Sequence, residues 1–331
     1  MDSAMKAAIY RRYGSPDVIE LADVPMPVPK DHEVLIRVYA TTVTSGDWRV
    51  RSLELPRGFG WMGRMIFGFS TPRQPILGTE LSGVIESVGS AVTMFKPGDA
   101  VFAFTGASMG CHAEYKCLSQ TAAIAHKPAN LSFAEAAALS FGGTTALDFF
   151  RRGQLKSGER VLINGASGGV GSAAVQLAKH FGAHITAVCS GSNRDLVTSL
   201  GADEVIDYNQ VDFTKNGRAY DLIMDTVGTA PYARCKGSLT EGGRLLLVLG
   251  DLAALLHAPW IGMTTKHRVV AGPAPERAED LRELATLAEA GHFKPIIDRR
   301  IPFTNIRDAH HLVDTGRKKG NVIVTVHSSA A

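Results

Sequence analysis

Four glycines crowd together after a short apolar run. Gly165, Gly168, Gly169 and Gly171 follow Arg160-Val161-Leu162-Ile163, and behind them Val170, Ala174, Leu177, Ala178 and Phe181 recur at helical spacing. A buried strand, a glycine turn and a helix in that order can cradle phosphate. One glycine permits the tight turn, one lets backbone approach a pyrophosphate, and one lets helix and strand pack closely. The helix start offers unpaired N–H groups and the positive end of its dipole to the anion. The chemistry is that of dinucleotide binding, with Ser167, Gly168, Gly169 and Val170 at the phosphates; an ordinary tight strand-to-helix turn is the alternative.

A second cluster bears on which dinucleotide. Sites for NAD carry Asp or Glu at the end of the next strand, where it bonds the adenosine ribose 2′-OH. Here Ile185–Val188 runs into Cys189-Ser190-Gly191-Ser192-Asn193-Arg194, with no carboxylate at that strand end. Ser190, Ser192 and Arg194 could bind a 2′-phosphate instead, the guanidinium bidentately. NADPH/NADP is therefore the expected cofactor, against the alternative that Arg194 is a solvated helix residue. Asp195 is expected to point along the following helix as an early-turn acid.

A third cluster, Cys111, His112, Glu114 and Cys117, has the residue types of a metal site. On a strand of period two, however, Cys111 and Cys117 share one face while His112 and Glu114 share the other. Convergence on one ion is poor, and no metal is expected there. His112, His126 and His257 belong to no motif. None of the four cysteines forms a Cys-x-x-Cys pair, which suits a reducing, cytoplasmic compartment.

The chain has 331 residues, 45% apolar and 20% charged, with a net charge of +3. That length suggests about two domains. No basic block points to nucleic acid. The first residues lack the apolar core of a signal peptide, and no apolar run reaches the ~20 residues of a membrane span.

The elements that must position these residues fall into two styles. Met5–Tyr10, Val18–Asp23, Glu33–Thr42, the Pro75–Val88 segment, Val101–Phe104 and Cys111–Leu118 read as short strands between turns, a β-rich, partly barrel-like domain. Thr44–Arg51 reads as a loop or helix start in which Asp47 could cap. Residues 53–75 have no clear period and read equally as a lid or as a surface excursion. From Lys127-Pro128 the pattern changes. Ser132 with Glu135 forms a capping box, and Thr144–Arg152 is helical. Strands at Val161, Ile185–Cys189, Glu204–Asp207, Tyr220–Met224 and Arg244–Leu249 then alternate with helices. Such alternation predicts an α/β, doubly wound parallel sheet. Glu279–Ala290 is an amphipathic helix, and Val322–Val326 is a last strand expected to return to the first domain.

In this order the chain resembles the zinc-independent, quinone oxidoreductase-like branch of the medium-chain dehydrogenases/reductases. The resemblance is carried by Gly78-Thr79-Glu80-Leu81-Ser82-Gly83, Pro97-Gly98-Asp99-Ala100-Val101, Gly143-Thr144-Thr145-Ala146 and Asn164-Gly165-Ala166-Ser167-Gly168-Gly169-Val170-Gly171. It continues through Leu200-Gly201-Ala202-Asp203-Glu204-Val205-Ile206-Asp207-Tyr208, Asp225-Thr226-Val227-Gly228 and Gly242-Gly243-Arg244. It implies a GroES-like catalytic domain over residues 1–127 and 269–331, interrupted by a Rossmann domain over 128–268. It also implies that Tyr208, Gly228, Leu249, Gly250, Ala271, Gly272 and Pro273 wall the cofactor, that Thr145 lies near the nicotinamide, and that the protein is a homodimer.

The zinc-binding branch of that superfamily uses a Cys and a His where this chain has Thr44 and Thr79, and the remaining Glu80 alone cannot hold zinc. The resemblance thus implies an oxidoreductase that moves a hydride from NADPH to a quinone or to a C=C conjugated with a carbonyl, without zinc. A zinc-free carbonyl reductase and a non-catalytic NADPH sensor are the alternatives. The expected pocket lies between the domains, lined from Thr44–Arg49 and residues 53–75. Thr44, Ser45 and Arg49 would share stabilisation of the developing oxyanion. Asp47 would orient the loop, as a cap or as a partner of Arg49, and Trp48 is a pocket wall or core.

Overall fold

The structure is a computed structural model that describes residues 4–327. The chain divides into two compact units: one comprises residues up to Leu55, Gly60–Phe141 and the chain from Glu276, and the other comprises Pro56–Phe59 and Gly142–Pro275.

The first unit is built from strands. β1 (Ala4–Tyr10) and β2 (Ile19–Pro25) form an antiparallel pair. β3 (Glu33–Val43) is the longest strand of the chain and leads into α1 (Ser45–Ser52) and then α2 (Gly60–Phe67). β4 (Glu80–Val88), β5 (Ala100–Phe104), β6 (Tyr115–Ser119) and β7 (Ile124–His126) follow, with α3 (Phe133–Ala137) behind them. Val34, Ile36 and Val38 of β3 are wholly buried and pack with Leu81, Ile85, Val101 and Ala103. Two register shifts against β4 bend β3.

The Ser132–Glu135 capping box that starts α3 is present, and residues 128–141 pack in the first unit. Two sequence expectations need correction. The strand expected over Cys111–Leu118 begins only at Tyr115. Cys111–Glu114 is irregular chain whose backbone bonds to Leu77, Gly78, Ala8 and Lys6. Residues 53–75 are not without regular structure, because α2 lies within them. Its sole buried residue is Gly63, over which Leu55 lies so closely that a Cβ would meet Cδ1 at 1.9 Å.

The second unit begins within α4 (Ser140–Gly153), whose first two residues belong to the first unit. Next come β8 (Arg160–Asn164), α5 (Gly169–His180), β9 (His184–Cys189), α6 (Arg194–Ser199), β10 (Glu204–Asp207) and β11 (Tyr220–Asp225). The unit ends with α7 (Tyr232–Cys235), β12 (Leu239–Leu247), α8 (Leu252–Thr264) and β13 (Arg268–Ala271). Its six strands are all parallel, in the order β10-β9-β8-β11-β12-β13. Strand order therefore reverses between β8 and β11, and in such sheets ligands bind outside the carboxyl ends of the strands at that switch. Val161, Leu162, Ile163, Ile223 and Leu245 are completely buried, as strands covered on both faces require.

The chain then returns to the first unit through α9 (Ala278–Glu289), β14 (Ile297–Pro302), α10 (Ile306–Asp314) and β15 (Asn321–Thr325). β15 lies between β14 and β3, completing a sheet of order β14-β15-β3-β4-β5-β7 with β6 also paired to β3.

Candidate functional site

In the second unit the glycine turn has three distinct positions. Gly165 sits at φ +83°, in the left-handed region, and a Cβ there would strike Val227 and Thr226. At Gly171, in the first turn of α5, a Cβ would lie 2.0 Å from the Gly165 carbonyl oxygen; this glycine makes room for helix against turn. Gly168 is different. It is the N-cap of α5 with extended backbone, and a Cβ would meet nothing nearer than the Gly165 oxygen at 3.5 Å. Its missing side chain serves no internal contact, so the space over it is available to a ligand. The N-cap supplies no side chain to the first N–H groups of α5, leaving donors for phosphate.

The walls of the crevice are held by buried polar groups. Asp225, 1% exposed at the end of β11, accepts from Asn164 Nδ2 (3.0 Å) and from the backbone N–H of Val227 (3.1 Å), Gly228 (3.1 Å) and Ala230 (2.7 Å). Asn164, at the end of β8, also donates to Thr229 Oγ1 at 2.9 Å. Together they fix the loop that contains Gly228 across the switch point. A cavity of about 410 Å³ lies here, lined by Asn164, Gly165, Val188, Tyr208, Phe213 and Val227 among others. Tyr208, just past the end of β10, is 60% exposed. These features fit a dinucleotide: an open helix N-terminus for the pyrophosphate, and an apolar slot beside it.

The loop after β9 carries the Ser190 and Ser192 hydroxyls 3.1 Å apart. Arg194 begins α6 and is exposed, and its guanidinium makes no hydrogen bond or ion pair among the described residues. Asn193 Nδ2 donates to Ser167 Oγ at 3.0 Å, tying this loop to the glycine turn, while its Oδ1 is buried without a partner. Leu249 and Gly250 follow the carboxyl end of β12, Ala271 ends β13 and Gly272 and Pro273 follow it, so they stand on the same edge of the sheet as Gly228. Arg152 Nη1 donates to the Ala271 carbonyl at 2.9 Å and pins that turn. Thr145 is 8% exposed on α4, one and two turns ahead of Asp148 and Arg152 on the same stripe.

In the first unit the Thr44 turn is closed upon itself. Thr44 is the N-cap of α1 and Asp47 its partner in a capping box. Asp47 thus orients the loop as expected, from N3 of the capping box rather than as the N-cap, and it is this box and not a pairing with Arg49 that holds it. Its Oδ2 accepts from Thr44 N (2.7 Å) and Thr44 Oγ1 (2.6 Å), and its Oδ1 accepts from Gly78 N at 2.9 Å. The expectation for Thr44 is corrected: its hydroxyl proton is committed to Asp47, both residues being buried. Thr79 Oγ1 lies 3.5 Å from Thr44 Oγ1. Glu80 is wholly buried; it accepts from Thr42 Oγ1 (2.5 Å) and Phe141 N (2.6 Å), and burial pushes its carboxyl up to about 8. Among the described residues no group of three or more His, Cys, Asp or Glu is placed to hold a metal ion.

Arg49 remains open in part. Nη1 donates to the Glu54 carbonyl at 3.0 Å and the guanidinium stacks 4.9 Å from the Trp48 ring, while Nε is buried with no partner. Burial lowers its pKa.

Sequence reasoning missed the network behind α1. Arg51 is completely buried. It donates to the Gly14 carbonyl, lies 3.0 Å from His310 Nδ1 through Nη1, and pairs with Asp314 at 2.5 Å. His310 in turn meets the His112 ring edge-on at 5.3 Å. No local signal marks these partners, because α1 and α10 are far apart in sequence. Asn164 and Asp225 each end a strand, and that position was the available clue to them.

Family models match over two stretches. Residues 30–145 match the alcohol dehydrogenase GroES-like domain, and residues 200–324 match a model described as zinc-binding dehydrogenase. A 2-methylene-furan-3-one reductase of Solanum lycopersicum is 34% identical, over 97% of this chain and 79% of its own length. A chloroplastic quinone-oxidoreductase homolog of Spinacia oleracea is 32% identical, over 97% and 98%. The structure of the quinone oxidoreductase from Coxiella burnetii superposes with a TM-score of 0.87 at 29% identity, covering 98% of this chain and all of the other. No helix among the described residues is long and apolar enough to cross a membrane.

Proposed function

We propose, for a chain that belongs to the quinone oxidoreductase-like medium-chain dehydrogenases/reductases, that it is an NADPH-dependent reductase of quinones or of C=C bonds conjugated with a carbonyl, working without zinc. The family is one of NAD(P)H-dependent oxidoreductases; the choice of NADPH and of substrate is the proposal. The observation that carries it is the loop after β9, where two hydroxyls and the uncommitted Arg194 stand with no acid at the strand end.

When bound, the dinucleotide supplies the hydride. The second unit holds it: Gly168 and the start of α5 take the pyrophosphate, Ser190, Ser192 and Arg194 take the 2′-phosphate, and the Asp225-braced loop supports the far wall. In the first unit, Arg49 is the donor for an oxygen on which charge develops, its guanidinium being held by the Glu54 carbonyl through Nη1 and by the Trp48 ring. Thr44 and Asp47 act one step back, by fixing the start of the helix that carries Arg49. The zinc-free reading rests on the donor set. Threonines replace the thiolate and imidazole, and Glu80 is engaged by Thr42 and Phe141. A homodimer is supported by β13, a sheet edge with one partner strand, beside α8, whose Leu256 and Trp260 are exposed.

The test is NADPH oxidation with an aliphatic enone and a benzoquinone, with and without chelator, on wild type and Arg194→Ala. Turnover of at least one acceptor, unchanged by chelator, is expected. Arg194→Ala should weaken NADPH by roughly ten- to a hundredfold, the loss of one charge-assisted contact, and leave NADH nearly unchanged. Turnover confined to simple aldehydes would favour a carbonyl reductase. NADPH binding without turnover of any acceptor would favour a sensor.

A further inference from the structure

The sequence places no acid at the end of β9, but the fold brings one alongside. β10 runs parallel to β9 with Asp207 in register with Cys189, so the last residue of β10 stands level with the strand end that the cofactor loop leaves. The Asp207 side chain is fixed there. Oδ1 accepts from Asn209 N at 3.0 Å and Asn209 Nδ2 at 2.9 Å. Oδ2 turns the other way, toward Gly191, and a Cβ built on Gly191 would lie only 2.6 Å from it. The space of the absent side chain in Ser190-Gly191-Ser192 is thus occupied by a carboxylate from the next strand. Cys189 senses both charges of the neighbourhood: burial, the largest influence, pushes its thiol up, Arg194 pulls it down and Asp207 pushes it up again.

We propose that Asp207 is a specificity determinant of the cofactor site, supplying from the third strand the carboxylate that NAD sites carry on the second. This rests on the reading of Ser190, Ser192 and Arg194 as the holders of the 2′ substituent. Two chemistries follow from one group. Toward a ribose 2′-OH the carboxylate is an acceptor, as the strand-end acid is in NAD sites. Toward a 2′-phosphate it is a like charge that opposes Arg194, moderated by solvent because the residue is only half-buried. The preference for NADPH over NADH is therefore the balance of Arg194 against Asp207 rather than the property of either.

Asp207→Asn keeps the oxygen that receives the Asn209 bonds and removes the charge. Dissociation constants for NADPH and NADH, read by quenching of intrinsic fluorescence at low and high salt, should move in opposite senses. NADPH should tighten by about three- to tenfold and NADH should weaken by about two- to fivefold, with the NADPH change shrinking in high salt. A melting curve on each variant checks the turn. Arg194→Ala is measured in parallel. If Arg194→Ala discriminates between the cofactors but Asp207→Asn leaves their ratio unchanged, the inference fails and the loop reading stands. If Asp207→Asn shifts the ratio and Arg194→Ala does not, Asp207 holds its role and Arg194 loses its own. If neither shifts it, the 2′ substituent binds elsewhere and both fail. Equal weakening of both cofactors by Asp207→Asn would make Asp207 a structural residue and overturn the inference.

Discussion

The Thr44 turn of the first unit and the glycine turn of the second both begin a helix, and they spend their polar groups in opposite ways. At Thr44 each donor and acceptor is taken up inside the protein: hydroxyl to Asp47, Asp47 to Thr44 and Gly78, Glu80 to Thr42 and Phe141. At Gly168 the N-cap has no side chain to spend, and the space above it is empty of protein. Residue types that look chemical in a sequence can be wholly consumed by the fold, while a residue with no functional group can be the one left for the ligand. Satisfied buried networks stabilise; open helix starts bind.

The largest effect that would break this contrast lies at the glycine turn itself. Gly171→Val would drive a branched side chain into the Gly165 carbonyl, and we expect the second unit to unfold or express poorly. Gly168→Val should keep a near-normal melting temperature and lose dinucleotide binding. Melting curves and calorimetric titration with NADPH decide. Unchanged affinity in Gly168→Val would move the phosphates away from this helix.

Asp47→Ala comes next. It strands three buried donors at once, on Thr44 N, Thr44 Oγ1 and Gly78 N, and should cost about 2–4 kcal/mol in urea unfolding. Arg49→Ala, which loses one bond to the Glu54 carbonyl and the stack on Trp48, should cost about 1 kcal/mol while lowering kcat. Equal stability losses would erase the division between bracing and chemistry proposed for this turn.

The smallest effect sharpens the comparison through pH. The completely buried histidines, His112 and His310, are both in the first unit. Burial, the largest cause, lowers both, and for His310 the His112 ring and the Arg51 charge lower it further. Folded-state values below 6.5 mean that the fold keeps them neutral while the unfolded chain takes up protons. The stabilisation is therefore present above about pH 6.5 and declines as pH falls below it, by up to about 1.4 kcal/mol per unit for each histidine. Glu80 runs the other way: its raised carboxyl stabilises most below 4.5, and that share is lost as pH rises through about 8. Comparing wild type with His310→Asn cancels Glu80. The stability advantage of wild type should shrink between about pH 7.5 and 5.5; an advantage independent of pH would mean that His310 titrates normally in the fold.

The architecture was legible where local rules suffice. Short apolar runs such as Val161-Leu162-Ile163 announce doubly covered strands, and Ser132 with Glu135 announces a helix start. Thr44 with Asp47 has the same spacing and could have been read in the same way. α2 was not legible because Gly60 and Gly63 weaken helical propensity and its buried face is one glycine wide. α8 is apolar on nearly every side and contains Pro259, so periodicity had nothing to report. Of the candidate site, the glycine turn and the Ser190–Arg194 loop came from local motifs. Asp207 beside Gly191, and Arg51 against His310 and Asp314, are products of strand register and of helices brought together from distant parts of the chain.

The place of β15 has a consequence for how the protein is made. Thr42 of β3 pairs with Ile323 of β15, so one edge of the first unit's longest strand waits for a strand that lies beyond the whole of the second unit. The second unit, apart from Pro56–Phe59, is one continuous stretch and is complete long before that. On the ribosome the inserted sheet can fold while β3 still presents unpaired N–H and C=O groups along Ala40–Val43, a template for misplaced strands. Assembly of the nucleotide-holding unit can thus precede closure of the unit that encloses it in sequence, because the β3–β15 pairing spans so much of the chain.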